Sequence, residues 1–190
     1  LEILLANVRT PEIRRGDLAA QAAANRAADE RLRELRFPLE EAFDAVIAYA
    51  ERRAREAIAR LPNGRYEAEG EVETEVDLPI RVAVTVEDEH ILIDFAGTSD
   101  QVAGNVNCPL AVTRSACLFA LRVVLPRDIP ANAGAFAALA IEAPEGSLVN
   151  ARKPAAVVAG NVETSQRIAM SRLAEGDLLV SETGAPVWGY

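Results

Sequence analysis

Histidine occurs once in this chain of 190 residues, at position 90, and cysteine twice, at 108 and 117. A structural zinc site takes about four protein donors at short spacings, so a site built from His and Cys is excluded. The two cysteines fit no metal-binding spacing either. A bridge between them competes with a plainer reading, in which Cys117 packs inside a helix as a small hydrophobe. Lysine also occurs once, at Lys153, and the 20 basic residues face 29 acidic ones, for a formal net charge of −9. A chain this acidic has no basic footprint for nucleic acid or for anionic lipid. No apolar run approaches the roughly 18–20 residues of a membrane span. Neither Gly-x-x-x-x-Gly-Lys nor Gly-x-Gly-x-x-Gly is present, so nucleotide binding by these residues is not expected. The start, Leu1-Glu-Ile-Leu-Leu5, lacks an initiator Met and the basic flank of a signal peptide. It reads as the interior of a longer cytoplasmic protein.

Half the residues are apolar and 26% are charged, as in a globular chain able to bury a core. Residues 1–5 read as the end of a strand, and Asn7 to Arg15 as a loop around Thr10-Pro11. Gly16-Asp17 then offers an N-cap to an alanine-rich helix reaching about Leu35, with Leu18, Ala22, Ala28 and Leu32 in rough register. Gln21, Asn25 and Asp29 lie near that stripe, either as a wet surface or as contacts to a partner. After Arg36-Phe37-Pro38, spacings of three and four over Leu39 to Leu61 predict a second helix whose core face includes Phe43, Val46, Ile47 and Ile58. Pro62-Asn63-Gly64 ends it. Tyr66 to Val76, Arg81 to Val86 and His90 to Phe95 alternate with period two and predict an antiparallel meander with glutamates on the wet face. Leu110 to Leu125 predicts a buried helix, 136–143 a strand, and Glu163 to Leu173 another helix. The fold class expected is α+β: an antiparallel sheet with packed helices, part of a larger subunit. Its parts are 1–36 (strand, loop and helix), 37–175 (the α+β core) and 176–190 (a tail).

Two polar knots carry the chemistry. Asp94-Phe-Ala-Gly-Thr-Ser99 and Gly104-Asn-Val-Asn-Cys-Pro109 follow the apolar Ile91-Leu-Ile93 and lead into Leu110-Ala-Val-Thr-Arg-Ser-Ala116. Asn105, Asn107 and Thr113 offer amide and hydroxyl groups to a carbonyl, and Arg114 can hold an anion bidentately. The plainer reading makes them turn residues, with Thr113 as a cap. The second knot, Gly160-Asn-Val-Glu-Thr-Ser-Gln-Arg167, places Asn161, Glu163, Thr164 and Gln166 at a helix start. Either they line a polar pocket, or Asn161 or Thr164 caps the helix while Arg167 pairs with Glu163. The two knots are expected to converge on one cavity. His90 and Asp94 fall on one side of a strand, but His90 sits beside a turn, where exposure outweighs an acid/base role.

These knots, with Leu4-Leu-Ala-Asn-Val-Arg-Thr-Pro-Glu12, Arg15-Gly-Asp17 and Ala156-Val-Val-Ala-Gly-Asn161, resemble the hydantoinase B/5-oxoprolinase family over most of residues 3–170. The resemblance implies part of an ATP-dependent cyclic amidohydrolase that opens hydantoin- or 5-oxoproline-like rings, N-methylhydantoinase activity included. It implies a hetero-oligomer with a hydantoinase A-type subunit that handles the nucleotide, and ATP and a divalent metal for the whole assembly. No cofactor is expected in this fragment, because the family's histidine- and aspartate-rich stretch is missing. The fragment is therefore expected to be inactive by itself. The alternatives are a non-catalytic scaffold for the A-type subunit and a component of a ketone carboxylase.

Overall fold

The computed structural model of the chain describes residues 1–35 and 37–171. The tail expected over 176–190, the continuation of the last helix past Ser171, and Arg36 all lie outside those residues. What is described falls into two compact units, Leu1–Asp44 and the residues from Ala45 onward.

Two readings of the first unit are corrected. The segment predicted to finish a strand is a short helix, α1 (Glu2–Leu5), which buries Leu5. A strand needs a neighbour for its backbone groups, whereas here Leu5 N–H donates to Leu1 O at 3.0 Å and Ala6 N–H to Glu2 O at 2.9 Å. The predicted loop over Asn7 to Arg15 is the start of α2 (Pro11–Glu34) from residue 11 onward. Pro11 occupies the first helical position, where its missing N–H is not needed and its φ is already helical. Gly16 and Asp17 therefore sit inside the helix instead of capping it, and Asp17 pairs with Arg14 at 2.6 Å. None of the 24 residues of α2 is buried. Gln21, Asn25 and Asp29 are exposed, and Asp29 pairs with Arg33 one turn on.

Helix α3 (Leu39–Ile58) forms where its period predicts, yet its buried residues are Ala50, Ala54 and Ile58. Phe43, Val46 and Ile47, predicted as core, are 51%, 48% and 39% exposed. Period identifies the apolar face of a helix, but not the length over which that face is covered. Only the last two turns or so of α3 are, through residues at i, i+4 and i+8.

The predicted meander is present as β1 (Gly64–Val72), β2 (Leu78–Glu87) and β3 (His90–Asp94). The first pair runs antiparallel from Gly64↔Val86 to Val72↔Leu78, the second from Ala83↔Asp94 to Glu87↔His90. Glu67, Glu69 and Glu71 of β1 face solvent while Tyr66, Ala68, Gly70 and Val72 turn inward. A fourth strand, β4 (Leu139–Glu142), adds to β3 in parallel. The start of the strand predicted from 136 is instead a 3-10 turn, Gly134–Phe136. Parallel neighbours need a long crossover, and residues 95–138 supply one that contains α4 (Leu110–Val124). Helix α5 (Glu163–Ser171) follows. Ile80, Val84 and Ile93 of the sheet and Phe95, just after β3, share one core cluster with Ile58 of α3, Leu121 of α4 and Ile168 of α5. Cys108 and Cys117 are both buried and no disulfide joins them, so the bridge left open by sequence does not form.

Candidate functional site

The two polar knots are far apart in sequence and directly bonded in space. Asn107, fully buried, uses its carboxamide as a clamp. Its Oδ1 accepts from Val102 N–H at 2.8 Å, and its Nδ2 reaches Val102 O, Gly104 O and Ala156 O at 2.9, 2.8 and 3.0 Å. The main chain of Asn105 joins in: its carbonyl accepts from Ala159 N–H at 2.9 Å and Gly160 N–H at 3.3 Å. Thr164 Oγ1 donates to Val106 O. A Cβ on Gly160 would stand 2.0 Å from Asn107 O, so glycine is required there by close backbone approach.

The same saturation decides what these side chains can do. An amide has two donor hydrogens and an acceptor oxygen, and all of those of Asn107 are spent on backbone. Thr113, also buried, gives its hydroxyl proton to Val149 O at 2.6 Å and so ties α4 to the loop after β4. It does not cap its helix: Pro109 is at the N-cap, with no side-chain cap bond. Thr164 likewise is buried and spent on Val106 O. Asn107, Thr113 and Thr164 thus build the frame and present no free group outward. Asn105, Arg114, Asn161, Glu163 and Gln166 are exposed. Arg167 pairs with Glu73 at 3.3 Å and not with Glu163.

Between α4 and α5 lies an open cleft of about 260 Å³, lined by Val112, Ser115, Ala116 and Phe119 from α4, and by Asn161, Ser165, Gln166 and Ala169 from the α5 side. Two of the eight sequence candidates, Asn161 and Gln166, are among its lining. Arg114 is not: at 100° per residue it stands about 100–160° around α4 from the lining residues. Ser115 and Ser165 donate their hydroxyl protons one turn back, to Ala111 O and Asn161 O at 2.9 Å each, which leaves their oxygens as acceptors. Both serines, with Val112 and Phe119, were missed as site residues. Projecting 112–119 and 161–169 as facing helices would have found them. No charged side chain is in the lining.

His90 is exposed, with the Arg55 guanidinium 2.9 Å from its Nε2. Asp94 Oδ1 accepts from Ala96 N–H at 2.9 Å, and no bond joins it to His90. Burial pushes the Cys108 thiol up, a hydrogen bond with Thr113 opposing it. Among the described residues no three His, Cys, Asp or Glu side chains gather as a metal site. The donors among the described residues do not fit a divalent ion: no three of them gather, and the histidine faces a cation. No helix among the described residues is long and apolar enough to cross a membrane.

The sequence profile described as Hydantoinase B/oxoprolinase matches residues 1–174, and the chain belongs to that family. The 5-oxoprolinase of Saccharomyces cerevisiae is 47% identical over 91 residues, 48% of this chain and 7% of that protein. The 5-oxoprolinase 1 of Arabidopsis thaliana is 33% identical over 172 residues, covering 80% of this chain and 14% of its own. This chain therefore spans less than a sixth of either relative. Among solved structures, the ATP-dependent caprolactamase from Pseudomonas jessenii shares the fold, with a TM-score of 0.72 at 20% identity over 87% of this chain and 30% of that one.

Proposed function

We propose that this chain is part of the B-type component of an ATP-dependent cyclic amidohydrolase, and that the α4–α5 cleft is a surface facing the ring. Membership of the Hydantoinase B/oxoprolinase family over residues 1–174 carries the reading. The oxoprolinase relatives and the caprolactamase with the same fold support amide-ring opening as the reaction class. In the cleft, the carboxamides of Asn161 and Gln166 can each donate to and accept from a ring amide, and Phe119 and Val112 offer apolar wall. The nucleotide and the divalent ion belong to other parts of a cytoplasmic hetero-oligomer with an A-type subunit. Hydantoin- and 5-oxoproline-like rings are the substrates.

The saturation of Asn107, Thr113 and Thr164 by backbone favours one rival, a scaffold that supports the A-type subunit without touching substrate. Both readings meet in one experiment: ATP-dependent opening of a hydantoin, 5-oxoproline and a simple lactam by the full-length subunit reconstituted with its A-type partner. Ring opening that falls at least about tenfold in Asn161→Ala or Gln166→Ala, with unchanged melting temperature, is the expected result. Wild-type kinetics in both variants would establish the scaffold. Carboxylation of a ketone in the presence of bicarbonate, with no ring opening, would assign the assembly to the carboxylase branch.

A further inference from the structure

Four ties hold the approach to α5 against the loop that leads into α4. Asn107 Nδ2 reaches Ala156 O at 3.0 Å. Asn105 O receives the N–H groups of Ala159 and Gly160. Gly160 lies so close to Asn107 O that a Cβ would overlap it at 2.0 Å. Thr164, in the first turn of α5, donates to Val106 O. These residues flank Asn161 on both sides, and Gln166 follows within one turn. On the other side, Asn107 precedes the first residue of α4, Leu110, by three positions. The separation of the two helix starts, and with it the width of the cleft, is therefore set by groups that do not line the cleft.

We infer that Asn107 and Thr164 form a latch of positioning residues, acting on the substrate through Asn161 and Gln166. This rests on the reading of the α4–α5 cleft as the ring-facing surface. The physical case is the absence of slack. Asn107 and Thr164 are fully buried, and each polar bond they make ends on the main chain, which cannot turn away as a side chain could. A buried carbonyl that loses its donor must find another or shift. A displacement of about 1 Å in a group that orients substrate can cost as much as about a hundredfold in kcat/KM.

Thr164 gives the cleaner test, because Thr164→Val keeps the side chain's shape and removes the hydroxyl, and Thr164→Ser restores it. The full-length subunit, reconstituted with its A-type partner, is assayed on whichever cyclic amide the wild type opens. Thr164→Val is expected to raise KM about tenfold while kcat changes less than about twofold, with Thr164→Ser near wild type. Amide exchange at Ala159 and Gly160, measured on the same proteins, is expected to quicken about tenfold in the Val variant and to recover in the Ser variant. A wild-type KM for Thr164→Val overturns the latch, and so does a Ser variant as impaired as the Val one. If the wild type opens no cyclic amide, the function reading falls and the exchange data decide the latch. Unchanged protection of Ala159 and Gly160 in Thr164→Val then overturns it, and faster exchange reversed by Thr164→Ser sustains it.

Discussion

Helix α2 runs for 24 residues and buries none of them, whereas α4 runs for 15 and buries Thr113, Ala116, Cys117, Ala120 and Leu121. The longer helix is held by what is local to it: alanine content, a proline at its first position, and surface pairs such as Arg14–Asp17 and Arg33–Asp29. Each of those contributes only tenths of a kcal/mol. The shorter helix is held by tertiary packing, and Thr113 is tolerated in it because its hydroxyl meets Val149 O in the core. Helix α3 combines both regimes in one element, exposed at Phe43 and buried at Ile58. Helical length is thus a poor guide to which helix carries the fold. Substitutions at the covered positions of α4 and of the end of α3 should cost most, those at the exposed start of α3 less, and those in α2 least.

In α4 the effect is expected to be large. Leu121 is 4% exposed within the core cluster, and Leu121→Ala should destabilise by about 2–5 kcal/mol in chemical denaturation. A change below about 1 kcal/mol would place α4 with α2. Thr113→Val should cost about 1–2 kcal/mol, because Val149 O loses its buried donor while the volume is kept. Cys108, beside Thr113, adds a pH signature. Burial raises its folded pKa above the ordinary 9.0, so the unfolded thiol ionises first. The contribution of Cys108 is then fully present below about pH 9 and is lost as pH rises through the folded value. Cys108→Ala should flatten that alkaline fall in stability; an identical fall in the variant would show that other groups cause it.

The same contrast explains what could be read from sequence. Alternation located β1 to β3 and the wet glutamates, because a sheet with one solvated face imposes its period directly on side chains, but it carried the first strand on to Val76 where β1 ends at Val72. Spacings of three and four located α3, and the apolar run from Leu110 to Leu125 located α4. At Phe43, Val46 and Ile47 the pattern was right about the face and silent about its cover. Gly16-Asp17 misled because an N-cap signature is judged against its neighbours, and Pro11 was the stronger start signal. In the site, residue types identified the two knots but not their roles. Whether an asparagine faces a ligand or a carbonyl depends on backbone brought from residues 102–107 and 156–160, which no local pattern encodes.

In α3 the difference between face and cover becomes a measurement. Phe43 is half-exposed, so Phe43→Ala should cost about 1 kcal/mol and not the several expected for a core phenylalanine. Ile58→Ala, three-quarters of the helix further along and fully buried, should cost about 2–5 kcal/mol. Equal costs at the two positions would mean that Phe43 is covered after all.

The smallest effect is expected in α2, where it also separates two readings of the sequence. If Gly16 preceded the helix, as Gly16-Asp17 suggests by cap chemistry, a substitution to alanine would leave helix content unchanged. With the helix starting at Pro11, Gly16 lies in its interior, and nothing stands within 4 Å of the Cβ that alanine would add. Alanine loses less backbone entropy than glycine on entering a helix. Gly16→Ala should therefore stabilise α2 by about 0.5 kcal/mol, seen as slower amide exchange over residues 15–20. Unfolding of the unit that begins at Ala45 should not change. Unaltered exchange across 15–20 would return the helix start to Asp17, and a shift in the second unit's unfolding would break the contrast between α2 and α4.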